Sequence, residues 1–142
     1  MGREHRFETF EHTADIGVTG IGSTMAEAFE NAAYGTFSIM ADLSKYQPTV
    51  SKSVVALGGD EDVVMLERFL SALLVLFDGD GLLPLEFDIT EISFGRLTCW
   101  ISARKVGDDI EWLGPQVKAI TYHKMSVTST EDEWRASVIL DV

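Results

Sequence analysis

The chain has 142 residues, of which 46% are hydrophobic and 24% are charged. This balance is typical of a folded globular protein and excludes an intrinsically disordered chain. The formal net charge of −12 disfavours tight binding to nucleic acid by the chain alone, because such a surface repels phosphate groups. It suits metal ions or a basic partner protein.

The remaining composition indicates a protein of a reducing compartment. No apolar run reaches the roughly 18 residues of a membrane-spanning helix, so we expect no membrane contact. The charged N-terminal stretch lacks the apolar core of a secretory signal. A single cysteine, Cys99, forbids an internal disulfide bond. We therefore expect a cytoplasmic protein, and because no repeat or linker divides the sequence, we predict one domain over residues 1–142.

The first third of the chain predicts two short strands and a helix. Residues 4–11 contain Phe7 and Phe10, which are typical of a strand. Residues 16–22 continue as a second short strand that is interrupted by glycines. Thr24 followed by Glu27 fits a capping box, in which each side chain binds an otherwise unpaired backbone N–H. An apolar stripe then recurs at helical spacing, formed by Met25, Phe29, Ala32, Ala33, Phe37 and Met40.

The rest of the chain predicts one further helix among several strands. Acidic residues crowd the start of this helix, where the helix dipole favours negative charge. We expect the helix at about 60–77, and strands at 49–57, 83–90, 96–104, near 110–113, 117–129 and 134–142. Runs of adjacent strands with two helices predict an α+β fold, in which a mostly antiparallel sheet packs against both helices.

The residue spacing excludes two familiar metal sites, the EF-hand calcium loop and the structural zinc site. "DGDG" at 78–81 resembles the start of a calcium-binding EF-hand loop, but Leu82 and Ile89 stand where that loop requires oxygen ligands. A helix that ends in a glycine turn explains the stretch. The three histidines, His5, His12 and His123, are too far apart in sequence for a structural zinc site.

Three polar residues in or beside strands remain as candidates for chemistry. Asp15 precedes the second strand, Asp141 lies on the last strand, and Lys118 alternates in register with Ile120 and Tyr122. An acid is locally disfavoured in a strand. Taken singly, Asp15 fits a turn and Asp141 fits a fraying terminus. Together with Lys118 they could form a site for a hard cation or a phosphate, and the residues alone leave both interpretations open.

Four stretches together resemble the archease family. They are "HTADIG", "TMAEAFENAAYGTFSIM", "VKAITYH" and the terminal "WRASVILDV", in that order and over nearly the whole chain. The second predicted helix departs from the family pattern, because Ser71 and Ala72 replace an expected polar pair while the apolar face is retained.

The resemblance implies an accessory protein and not an enzyme. Archeases activate the GTP-dependent tRNA-splicing ligase by promoting guanylylation of its active-site histidine and multiple turnover. RNA would then be contacted only through the ligase. The residues that match the family's metal site are Asp15 and Asp141, together with the backbone carbonyl oxygen of Val142. Lys118 matches a functionally important lysine, for contact with phosphate or with the partner. His12 and His123 lie in the motifs without an assigned role.

The implied ligand is a divalent cation, with calcium favoured over magnesium or manganese, because carboxylate and carbonyl oxygens suit such ions. Two other functions remain open at this stage. One is a general chaperone-like or adaptor module that does not use a metal. The other is a metal-dependent hydrolase that acts alone, for which no nucleophile motif is present. Exposed sheet edges also leave a homo-oligomer open.

Overall fold

The computed structural model describes residues 5–12, 15–58 and 61–142. Two main helices and seven strands form in this part of the chain. The helices are α1 (Met25–Ser38) and α2 (Asp62–Asp80). The strands are β1 (Phe7–His12), β2 (Asp15–Gly22), β3 (Val50–Leu57), β4 (Leu82–Ser93), β5 (Arg96–Lys105), β6 (Ala119–Ser129) and β7 (Trp134–Asp141).

The strands divide into two antiparallel sheets. One has four strands in the order β1-β2-β7-β6, and the other has three in the order β3-β5-β4. Both helices contact strands of both sheets, since α1 packs on β2, β7 and β4 while α2 packs on β6, β3 and β4. The predicted α+β class with mostly antiparallel strands and two packed helices is confirmed. The division into two sheets was not predicted.

Helix α1 is held at the centre of the protein by its apolar stripe. Phe29, Ala32, Ala33 and Phe37 are fully buried in the core cluster that both sheets share. The backbone of β2 comes so close to this helix that a Cβ atom on Gly20 would lie 2.2 Å from the carbonyl oxygen of Ala28. Glycine is therefore required at this contact between β2 and α1.

The predicted cap of α1 is present with one change. The Thr24 hydroxyl accepts a hydrogen bond from the Glu27 N–H at 3.1 Å. The Glu27 carboxylate accepts from the backbone N–H and the hydroxyl of Ser23, and not from the Thr24 N–H. The pair therefore caps the helix, with its reciprocal bond shifted by one residue.

Helix α2 ends as the glycines predict, but later than expected. It runs to Asp80, and Gly81 follows in the left-handed conformation with φ 65°, its N–H directed to the carbonyl oxygens of Leu76 and Phe77. The "DGDG" stretch is therefore a helix terminus. The first residue predicted for this helix, residue 60, lies outside the described residues.

The strand predicted near 110–113 is wrong. This segment docks against the end of α1 through single hydrogen bonds: the Leu113 N–H donates to the Met40 carbonyl oxygen at 2.8 Å, and the Glu111 N–H donates to the Tyr46 hydroxyl at 2.8 Å. These backbone N–H groups of the segment are thus hydrogen-bonded without being part of a β-ladder. A short 3₁₀ helix, Leu43–Lys45, was also not predicted.

The described part of the chain contains no helix with the length and apolar character of a membrane span.

Candidate functional site

Two acidic residues meet across the four-stranded sheet. Asp15 is the first residue of β2 and Asp141 is the last residue of β7, and the antiparallel register places them directly opposite one another. Directly opposite residues project from the same face of a sheet, with their Cβ atoms about 4.5–5.5 Å apart. The two acids that the sequence separates by most of the chain therefore stand side by side.

The acid pair has no neutralising partner among the described residues. Neither carboxylate forms an ion pair or hydrogen bond with a described side chain. Asp141 is exposed and Asp15 is partly buried. Like charges directly opposite in a sheet destabilise it, so this arrangement favours a bound cation.

Lys118 adjoins the acid pair through its backbone. Its N–H donates to the carbonyl oxygen of Asp141 at 2.7 Å, and the next residue, Ala119, stands opposite Asp141 in the β6–β7 ladder. The Lys118 side chain lines a cleft between α2 and β6. It forms no ion pair with either acid. The three predicted residues are thus brought together along one row of the sheet, with Lys118 beside the acids and not bonded to their carboxylates.

Val142 continues from this row and packs against the hydrophobic core while partly buried. The packing holds the end of β7 in place beside Asp141. Within the described ranges, no group of three or more His, Cys, Asp or Glu residues is placed to hold a metal ion. The protein side chains therefore offer two carboxylates, and any further oxygen ligands must come from the backbone, water or a partner.

A buried hydroxyl without a described protein partner lies on the same sheet face as the acids. Thr121 lies two residues beyond Ala119 and opposite Ile139 of β7. Its Oγ1 atom is buried and has no hydrogen-bond partner in the described chain. Buried polar atoms of this kind usually bind ordered water. Sequence periodicity gave no sign of this group.

The strand carrying these residues is irregular beyond Thr121. The β6–β7 register shifts between Thr121 and Ser126, and Lys124 adopts a positive φ of 57°. The strand predicted over 117–129 is present as Ala119–Ser129, but the alternation predicted for Lys118, Ile120 and Tyr122 buries only Ile120. His123 lies within the bulge. His12 stands opposite Asp15 in the β1–β2 register, and the geometry assigns neither histidine a role.

The α2–β6 cleft was also not predicted as a site. It is lined by Glu67, Leu74, Val75, Asp78, Lys118 and Ile120, among others, and has a volume of about 540 Å³. No local pattern in the sequence marked this cleft, because the 70% exposure of Val75 depends on how α2 packs. Val75 borders the buried apolar residues Leu74 and Ile120, so exposed and buried apolar surface meet in the cleft.

The sequence and fold were compared with those of known proteins. Residues 7–142 match the model of the archease protein family. The chain belongs to the archease family. Protein archease of Thermococcus gammatolerans is 39% identical, with 96% of this chain and 99% of the relative aligned. Protein archease of Sulfolobus acidocaldarius is 34% identical over the same shares of the two chains.

Solved archease structures confirm the fold. The solution structure of Methanobacterium thermoautotrophicum protein 1598 superposes with a TM-score of 0.80 at 30% identity, covering 96% of this chain and 98% of that one. The crystal structure of an archease from Thermotoga maritima, described as a possible chaperone, gives a TM-score of 0.62 at 19% identity, covering 99% and 100%. The second likeness supports the fold alone.

Proposed function

We propose that this archease is an accessory factor of the GTP-dependent tRNA-splicing RNA ligase. In this role it promotes guanylylation of the ligase and allows the ligase to turn over repeatedly during tRNA splicing or RNA repair in the cytoplasm. The archease itself forms and breaks no bond in RNA. Its functional centre is a cation site formed by Asp15, Asp141 and the carbonyl oxygen of Val142, with Lys118 beside it.

The single observation that carries the proposal is the register of Asp15 and Asp141. In a family member, the two acids of the characteristic motifs come from opposite ends of the chain and stand directly opposite in the sheet. No described cationic side chain pairs with them. Two carboxylates without a described cationic partner therefore stand side by side in the sheet. If these residues had only a structural role, uncharged or oppositely charged side chains would be favoured at the two positions.

The donor set fits a hard divalent cation. Calcium prefers several carboxylate, carbonyl and water oxygens, whereas magnesium demands a stricter octahedral arrangement. Two carboxylates from different strands and one carbonyl leave coordination positions for water or for a phosphate of the partner. Calcium is therefore the first candidate, and magnesium and manganese are the alternatives.

Each residue of the site has a defined task in this proposal. Asp15 and Asp141 hold the cation, and a bound cation would supply positive charge to phosphate oxygens of the nucleotide or RNA. The Lys118 N–H, by binding the Asp141 carbonyl oxygen, fixes the last residue of β7. The Lys118 ammonium is left to contact phosphate as a point charge. The acidic surface of the protein suits approach to a basic cleft of the ligase.

Multiple-turnover RNA ligation tests the proposal. The cognate ligase is supplied with GTP, a divalent metal and RNA ends, and the product is measured with no addition, with the wild-type chain, and with Asp15→Asn or Asp141→Asn. The added proteins carry no C-terminal tag next to Val142. Asp88→Asn is the matched control, because Asp88 is an exposed strand acid of the other sheet, opposite Trp100.

Four outcomes separate the functions that remained open in the sequence. Stimulation by the wild type and Asp88→Asn, with turnover at the unstimulated level for Asp15→Asn and Asp141→Asn, supports the cation-dependent activator. Equal stimulation by all variants keeps the partner and contradicts the metal site. Absence of stimulation by the wild type favours a chaperone-like or adaptor module. Turnover of RNA without ligase would indicate a hydrolase.

A further inference from the structure

The α2–β6 cleft places the exposed apolar residue Val75 at the edge of the hydrophobic core. Leu74 and Ile120 form a floor that is 5% and 8% exposed, and Val75 stands beside them with 70% of its surface exposed. The cleft volume of about 540 Å³ is sufficient for one or two side chains of a partner. An aliphatic side chain of a partner would cover Val75 and exclude water from the floor.

Two carboxylates are fixed in this cleft by neutral donors. Glu67 accepts a hydrogen bond from the Tyr122 hydroxyl at 2.8 Å and another from the Ser71 hydroxyl at 2.6 Å. Asp78 accepts from the Gln116 side-chain amide at 3.2 Å. Since neither acid forms an ion pair with a described residue, both are oriented and remain available to a basic side chain.

The cleft reaches β6, the strand next to the one that carries Asp141. Lys118 lines the cleft and its N–H binds the carbonyl oxygen of Asp141. Ala119, the next lining residue, stands opposite Asp141 in the ladder. A segment seated in the cleft therefore lies within one strand of the residues that would hold the cation.

We propose that the α2–β6 cleft is the docking site for a segment of the RNA ligase that presents an aliphatic side chain flanked by lysine or arginine. The aliphatic side chain packs on Val75 and the floor, and the basic side chains pair with Glu67 and Asp78. Docking there places the ligase one strand away from the cation site, with Lys118 between them. This inference rests on the proposed function, because it takes the ligase as the partner.

The test is the affinity of full-length ligase for the wild-type chain, Val75→Glu and Leu57→Glu, measured by biolayer interferometry. Leu57 is 55% exposed on β3 of the other sheet and does not line the cleft, so its variant adds the same charge outside the cleft. Both substitutions are at exposed positions, and circular dichroism checks that each variant is folded. Calcium binding by calorimetry provides a readout that does not involve the ligase.

We expect Val75→Glu to weaken ligase binding by about tenfold or more, as for the loss of a central interface contact. Leu57→Glu is expected to bind as the wild type does, and calcium binding is expected to be unchanged in both variants. A double variant, Glu67→Gln with Asp78→Asn, is expected to weaken ligase binding and to reduce its dependence on salt.

The proposal is overturned if Val75→Glu binds the ligase as tightly as the wild type. It is also overturned if the wild type self-associates in sedimentation equilibrium and Val75→Glu abolishes that association, since the occupant is then a second copy. If the wild-type chain does not bind the ligase at all, the proposed function fails together with this inference.

Discussion

Asp15 and Asp141 show at the scale of single residues how strand register brings together side chains from opposite ends of a chain. Each acid alone has an ordinary explanation, as a turn residue or as the end of a strand. Their direct opposition in the β2–β7 ladder adds what neither explanation includes, because it brings two negative charges together on one sheet face. Without a cation, this repulsion lowers the free energy of unfolding by about 0.2–1 kcal/mol. With a bound divalent ion, the two acids would instead raise it.

Replacing one of the two acids is therefore expected to raise stability when no cation is present and to lower it relative to the wild type when calcium is bound. In the presence of a chelator, Asp15→Asn or Asp141→Asn is expected to raise the free energy of unfolding by up to about 1 kcal/mol, because the repulsion is relieved. With calcium at a hundredfold excess over its dissociation constant, the wild type is expected to gain about 2.7 kcal/mol, and the variants little. Thermal unfolding with and without calcium measures both quantities.

Asp88→Asn serves again as the control and is expected to leave the calcium response intact. A wild-type chain whose melting temperature does not respond to calcium, magnesium or manganese would contradict the cation site. So would variants that respond as strongly as the wild type.

At the scale of elements, the contact between β2 and α1 positions the strand that carries Asp15. Gly20 makes this contact possible, because a side chain there would meet the helix backbone. Val18, on the same face of β2, is fully buried, and its side chain would lie 2.7 Å from a Cβ atom added at Gly35 of α1. The position of Asp15 in the site therefore depends on a glycine five residues along the same strand.

Two glycine-to-alanine substitutions are expected to have opposite effects on stability. Gly20→Ala places a Cβ atom 2.2 Å from the Ala28 carbonyl oxygen and is expected to lower the free energy of unfolding by about 1–3 kcal/mol, because the strand must move away from the helix. Gly79→Ala in α2 meets no atom within 4 Å and is expected to raise it by about 0.5–1 kcal/mol. Urea denaturation of the two variants and the wild type measures both changes. Equal effects of the two substitutions would contradict the packing described for β2.

Much of the element pattern could be predicted from the sequence. The apolar stripe of α1 and its Thr24 cap follow from local rules of spacing and hydrogen bonding, and the structure confirms both. The end of α2 at Gly81 likewise follows from the turn preference of glycine. These features are set by neighbours in the chain, which is why one sequence suffices to find them.

Features that depend on distant contacts were missed. The segment near 110–113 has strand-like composition, but its backbone bonds to Met40 and Tyr46, which a local pattern cannot show. The bulge of β6 beyond Thr121 and the exposure of Val75 likewise depend on what lies across the sheet or the helix face. The candidate acids were named from their positions in or beside strands, and the resemblance to a family gave them a shared role. Their meeting in space came from the register.

At the scale of the whole molecule, the net charge of −12 governs how a partner approaches. An acidic protein that docks on a basic cleft associates faster at low ionic strength, because long-range attraction is screened as salt is added. The apolar floor of the α2–β6 cleft instead governs how long the partner stays. The net charge is thus expected to act on the association rate constant, and the cleft on the dissociation rate constant.

Kinetics of ligase binding can separate the two contributions. Raising the salt concentration from about 0.01 M to 0.15 M shortens the screening length from about 30 Å to 8 Å and is expected to lower the association rate constant severalfold. Val75→Glu is expected mainly to raise the dissociation rate constant. Stopped-flow or surface-based kinetics at several salt concentrations gives both constants. An association rate that is independent of salt would contradict the role assigned to the acidic surface.

The most direct measurement of the central claim is the single-turnover rate of ligase guanylylation, with GTP and calcium or magnesium, at archease concentrations that saturate binding. The wild-type chain is expected to accelerate the first guanylylation. Asp141→Asn, which retains the α2–β6 cleft, is expected to bind the ligase without accelerating it. Guanylylation accelerated equally by the wild type and by Asp141→Asn would contradict the claim that the acid pair and its cation carry the activating function.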